Sequence, residues 1–135
     1  MTPVSIASIT SYHAHIYFRD AAERLRAETL RAMIAAQFSV KLGGWHDRLV
    51  GPHDRPMYQV AFDAALFASF IPWLMLNRLD LTIFVHPNTA NPRRDHLVHA
   101  LWMGEVLAIV RPEQLPELAD PAEDLVPNTS PVRQV

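Results

Sequence analysis

Residues 9–18, ITSYHAHIYF, alternate between two faces without a break, and this run constrains the fold more tightly than any other segment. Tyr12, Ala14, Ile16 and Phe18 fall on one side; Ser11, His13, His15 and Tyr17 fall on the other. A period of two predicts a half-buried strand. Its apolar side must be covered by a second layer, and its other side presents two imidazoles roughly 7 Å apart.

The following segments supply that layer. Asp20 and Glu23 form a D-x-x-E helix start, in which the aspartate accepts from free N–H groups of the first turn. Ala22, Leu25, Thr29, Met33 and Ala36 are the expected inward stripe, with Arg24, Glu28 and Arg31 opposite and spaced to pair. Phe38, Val40 and Leu42 alternate with Ser39 and Lys41 as a second strand, which Gly43-Gly44 is expected to end. Residues 45–56 read as a loop, and 57–62 as a third strand with Tyr58, Val60 and Phe62 on one face. Asp63 then caps a second helix bearing Leu66, Phe67, Phe70, Trp73 and Leu74, in which Pro72 predicts a kink or a break. That helix is apolar nearly all round, which predicts cover on its outer side by a second subunit, hence a homodimer. Residues 81–86 are the expected fourth strand, 87–94 a loop and 97–103 a fifth strand.

This order, βαββαβ plus a C-terminal strand, predicts an α+β ferredoxin-like split βαβ sandwich. Such a sheet is antiparallel, with the first strand central and the helices on one face. Residues 1–110 would form the domain. Five of the eleven prolines lie beyond Arg111, so residues 111–135 are expected to be an irregular tail.

The topology gathers histidines. His13 and His15 share the uncovered face of the first strand; antiparallel pairing brings His86 beside them and His99 beside His86. Neutral imidazole is a favoured ligand for iron, zinc and copper, and three protein ligands leave positions open for water, O2 or substrate. His53, in Gly-Pro-His, is placed to arch over the same face as an acid/base. His46 and His96 carry no such signal. Glu105, and after it Asp95, is the carboxylate best placed to join a two-His-one-carboxylate set.

Several classes drop out. The chain has no cysteine, which removes disulfide scaffolds, zinc–thiolate sites and thiol nucleophiles. A net charge of −2 without a basic run gives no reason to expect nucleic acid or an anionic membrane as partner. The first residues show no signal peptide, and the longest apolar stretch, 66–76, falls short of the roughly 20 residues needed to span a bilayer. The expectation is a soluble cytoplasmic protein. Phosphate-cradling glycine loops, G-x-S-x-G and H-E-x-x-H are absent from the sequence.

The segments YHAHIYF (12–18), GGWHDRLVGPH (43–53), MYQVAF (57–62), PWLMLNR (72–78), VHPNT (85–89) and DHLVHALWMG (95–104) together resemble the DOPA 4,5-dioxygenase family of fungi and bacteria, over residues 9–108. The resemblance implies a ferredoxin-like fold and extradiol cleavage of a catechol such as DOPA by O2, with non-haem Fe(II) or another divalent metal such as zinc in its place. Carried across, it points to His13, His15, His53, His86 and His99. Three of His13, His15, His86 and His99 would hold the metal, and the fourth or His53 would move a proton, with His13 and His53 the leading pair. Tyr17 and Asn88 would touch substrate. Gly44 departs from the pattern, which usually has arginine before Trp-His. The competing readings are a related monooxygenase or other metal-dependent enzyme on the same sheet, and a non-catalytic small-ligand-binding dimer.

Overall fold

The computed structural model describes residues 1–119. Its strands are β1 (Ser11–Tyr17), β2 (Lys41–His46), β3 (Met57–Asp63), β4 (Ile83–Asn88) and β5 (Leu101–Met103). Its helices are α1 (Ala21–Gln37), α2 (Phe67–Asn77) and α3 (Pro92–Leu97). The sheet order is β2-β3-β1-β4-β5, antiparallel throughout, so β1 is central as expected for a ferredoxin-like sandwich. The alternation in β1 explains the layering. Ala14, Ile16 and Phe18 join Tyr58, Val60, Phe62, Ile83 and Val85 from neighbouring strands in one core with Leu30, Ile34, Phe70 and Leu74 from α1 and α2. Each fully buried large side chain contributes about 1.5–3 kcal/mol.

Asp20 caps α1 as expected: its Oδ1 accepts from the Glu23 N–H at 2.9 Å. Asp20→Ala should cost about 1 kcal/mol, read as a lower urea midpoint; an unchanged midpoint would show the cap to be idle. The inward stripe is a correction. Glu23, Ala27, Leu30 and Ile34 face the sheet, while Leu25 is 66% exposed. This phase buries the branched aliphatics Leu30 and Ile34 against the sheet and leaves Met33 only partly buried at the margin of the core. It tolerates Glu23 because that carboxylate accepts from the Arg19 backbone N–H at 3.0 Å and from its guanidinium at 2.6 Å. Arg24 pairs with Glu28 at 2.7 Å, but Arg31 leaves that row, donating to the Gly43 carbonyl and lying over the Tyr58 ring.

Gly43-Gly44 does not end β2. The strand continues to His46 through a register shift against β3 between Leu42 and Trp45. A Cβ at Gly43 would stand 3.1 Å from the Gln59 carbonyl oxygen, so the missing side chain permits a bulge held close to β3. The bulge turns Trp45 onto Phe18, with ring centroids 4.6 Å apart.

Pro72 does not break α2, which runs on to Asn77 after a 3-10 turn over Ala64–Leu66, and the Asp63 side chain makes no capping bond. Phe70, Ile71 and Leu74 are buried, whereas Met75 and Leu76 are exposed at 54% and 86%. This is the surface where the expected homodimer would form. No helix among the described residues is long and apolar enough to cross a membrane.

The largest correction lies at residues 97–103. The strand begins only at Leu101, and the residues before it form α3 and a turn. Residues 112–119 run back against α3, with Arg93 N–H donating to the Pro116 carbonyl and Ala119 N–H to the Ala90 carbonyl. The expectation for the rest of the tail concerns residues 120–135, outside the described residues.

Candidate metal centre

The side of β1 that faces away from α1 and α2 is roofed. Tyr17, Met57 and Phe84 are buried on it beneath Val50, Trp102, Leu107 and Ile109. Two backbone-directed bonds tie the roof down: Val110 N–H donates to the Pro52 carbonyl at 2.9 Å, and the Arg111 guanidinium donates to the Gly51 carbonyl. Gly51, at φ 53°, makes the turn that brings His53 inward.

Under this roof stand the histidines of β1 and β4. His13 is the direct cross-strand partner of His86, and His15 lies diagonally across from it, opposite Phe84. His15 and His86 are 2% and 1% exposed. Their Nε2 atoms face each other at 3.1 Å, and one nitrogen from each of His13, His15 and His86 lies within 4.8 Å of the others. The group that could hold a metal ion therefore comprises three of the four histidines singled out from the sequence.

The donor chemistry fits a cation. His86 Nδ1 is 2.9 Å from the Pro87 carbonyl, which can only accept, so the neutral ring carries its proton on Nδ1 and directs a bare Nε2 at His15. A hydrogen bond between the two rings would need a proton on His15 Nε2. His15 Nδ1 is buried without a partner whichever of its ring nitrogens carries the proton. With the proton on His15 Nδ1 instead, two Nε2 lone pairs confront each other, which is the disposition of two ligands on one ion.

The electrostatics favour the ligand form. Burial, and after it the charge of neighbouring histidines, holds His15 and His86 well below the ordinary 6.5. Burial likewise pulls His13 and His53 down to about 4. Neutral imidazoles bind metal without first losing a proton. The same shift has a cost in acid. Below pH 6.5 the unfolded chain takes up protons that the folded chain refuses, so stability falls as pH drops from about 6.5 to about 4. His53 alone, 5% exposed, contributes a loss of about 3 kcal/mol. The metal-free protein should therefore show a steep fall in urea midpoint between pH 7 and pH 4.5; a flat midpoint would contradict neutral burial.

Around this group the other expectations sort themselves. His53 packs against His15 with ring centroids 4.2 Å apart and planes tilted by 40°, and its Nδ1 is 2.7 Å from the Tyr17 hydroxyl. Burial pushes the Tyr17 hydroxyl up, so it stays protonated. Asn88 flanks His86 on the same face, and its amide donates to Ser11 Oγ at 3.0 Å. Glu105 is engaged outside the site with Arg55 and Arg19. Asp95 is buried but spends both carboxylate oxygens on Thr89.

His99 is a correction. The turn after α3 leaves it exposed on the lining of a separate cavity of about 320 Å³, with Tyr12, Phe67, Pro87 and Leu101, outside the ligand group. The residue that comes to the site instead is His96, on α3, its ring 3.9 Å from that of His86. A signal for this was present in Asn91-Pro92. Asn91 Oδ1 accepts from the Arg94 N–H, and proline occupies the first helical turn, where its missing N–H costs nothing.

The sequence profile described as the Dopa 4,5-dioxygenase family matches residues 12–111. A DOPA 4,5-dioxygenase of Amanita muscaria is 34% identical over 106 residues, covering 73% of this chain and 46% of that protein. An uncharacterised 21.2 kDa protein of Botryotinia fuckeliana is 34% identical over 110 residues, covering 73% of this chain and 60% of that one. The chain thus spans roughly half the length of these curated relatives. The crystal structure of a candidate dioxygenase from Nostoc punctiforme matches with a TM-score of 0.77 and 47% identity, over 79% of this chain and 92% of that one.

Proposed function

Because the chain belongs to the Dopa 4,5-dioxygenase family, we propose that it is an extradiol dioxygenase, opening the ring of a catechol such as DOPA with O2 at an Fe(II) held by His13, His15 and His86. The observation that carries this reading is the pair of buried Nε2 atoms facing each other at 3.1 Å, with His13 alongside. Fe(II) held by these residues would supply a Lewis-acidic, redox-active centre for the reaction of a catechol with O2.

The chain's own residues do the remainder. The Pro87 carbonyl fixes the His86 tautomer and so aims its lone pair. His13, at the less buried side of the group, marks the side open to substrate. With the His53 proton on Nδ1 and donated to the Tyr17 hydroxyl oxygen, Nε2 is a bare lone pair that takes a proton from a phenolic hydroxyl. Tyr17 and Asn88 bound the space that the ring would enter from opposite ends of β1. Phe84 and Trp102, stacked with centroids 4.3 Å apart, keep water from the covered side, where it would compete for a reactive intermediate.

The test is anaerobic loading with Fe(II), addition of L-DOPA and admission of isotopically labelled dioxygen. A ring-opened product carrying two labelled oxygens, formed in proportion to oxygen consumed, supports the assignment. Stoichiometric bound metal with no oxygen uptake on DOPA or simpler catechols would overturn it.

A further inference from the structure

His96 is the one imidazole at the centre that neither the ligand group nor the proton-transfer role absorbs. Its position is built rather than incidental. The Asp95 carboxylate, 1% exposed, accepts from the Thr89 N–H at 2.8 Å and from the Thr89 hydroxyl at 2.6 Å. That clamp pins α3 to the residue that follows β4, three beyond His86. It sets the His96 ring against His86 at 3.9 Å and 33°. Four rings then follow one another, His53, His15, His86 and His96, with successive centroid separations of 4.2, 5.2 and 3.9 Å. His53 and His96 bracket the two most buried ligands.

The hydrogen bonding of His96 fixes what it can offer. Its Nδ1 is 2.7 Å from the Pro92 carbonyl, an acceptor only, so the neutral ring carries its proton there and Nε2 is a bare lone pair. Among the described residues Nε2 meets no hydrogen-bond partner, and it is not one of the atoms sealed from solvent. His96 lies outside the group whose nitrogens approach within 4.8 Å, so it is not placed as a fourth ligand. A neutral acceptor beside the histidine group, not sealed from solvent, is matched by a hydroxyl donor.

Resting on the catechol reading above, we infer that His96 is a substrate-binding residue, its Nε2 accepting a hydrogen bond from a phenolic hydroxyl and so setting the angle at which the ring meets the metal. The Asp95–Thr89 clamp is then a positioning device that acts through His96.

The test uses the Zn(II)-loaded protein, which binds without turnover, and compares 4-nitrocatechol with its monomethyl ether by visible titration. Three proteins are needed: the natural sequence, His96→Phe, which keeps the ring packing without the lone pair, and His96→Gln, which restores an acceptor oxygen. The expected result is an unchanged zinc stoichiometry in all three. The preference for catechol over ether falls about tenfold in the Phe variant and recovers in the Gln variant. Equal preference in the natural and Phe proteins would overturn the inference. So would loss of zinc in the Phe variant with catechol preference intact, which would make His96 a brace for His86 alone. A zinc-loaded natural protein that binds neither probe would sink the catechol reading itself, a failure distinct from both.

Discussion

His86→Ala is expected to abolish metal retention and to lower ring cleavage by at least about a thousandfold, while His99→Ala leaves both within about twofold. The contrast follows from position. His86 is 1% exposed, aimed by the Pro87 carbonyl and confronted by His15 Nε2, so its removal takes away one of the three proposed ligands at the centre of the group. His99 stands on the far side of the turn after α3, exposed, on the lining of a different cavity. Elemental analysis of each variant after Fe(II) loading measures the first effect, and oxygen uptake the second. A urea midpoint for each separates ligand loss from unfolding. Metal retained at full stoichiometry in His86→Ala, or lost in His99→Ala, would refute the assignment of the centre.

The second large effect concerns His53. Its substitution by glutamine should lower kcat by about 10²–10⁴-fold with metal content unchanged, as expected for removal of a positioned proton-transfer group that is not a ligand. The geometry behind this is the 2.7 Å contact between Tyr17 and His53 Nδ1, which leaves Nε2 directed elsewhere, and the packing of the His53 ring 4.2 Å from that of His15. Tyr17→Phe removes the partner but keeps the imidazole, so its loss should be smaller, about 10–100-fold. Single-turnover absorbance on the metal-loaded variants measures both. A His53→Gln protein with wild-type kcat would move proton transfer to another group, and one that loses metal would make His53 a ligand.

What was legible in the sequence follows from how each element writes its burial into the chain. A half-buried strand imposes a period of two, so β1 and β3 could be read from alternation alone, and their antiparallel pairing with the strands around them brought His13, His15 and His86 together. Helix α1 is rich in alanine, which suits either environment. Its phase is therefore set by Leu30 and Ile34, and Glu23 is buried by an ion pair outside any apolar pattern. Gly43-Gly44 reads as punctuation, but a missing side chain serves equally for close backbone approach, and only the facing Gln59 decides between the two. The exchange of His99 for His96 has the same character. Residues 97–103 alternate well enough for a strand, yet the Asn91 cap and the Asp95–Thr89 clamp start a helix upstream, and three residues of shift replace one histidine by the other at the site. The roof over the histidines came from residues 107–111, joined to residues 51–52 by backbone-directed bonds that carry no signature in side-chain type.

The measurement that bears most directly on the centre is anomalous diffraction at the iron edge from crystals of the protein loaded anaerobically with Fe(II). The account predicts a single strong peak at about 2.0–2.3 Å from one nitrogen each of His13, His15 and His86, with His99 remote from it. A peak held by other residues, or no peak at these three histidines in protein that contains stoichiometric iron, would contradict it.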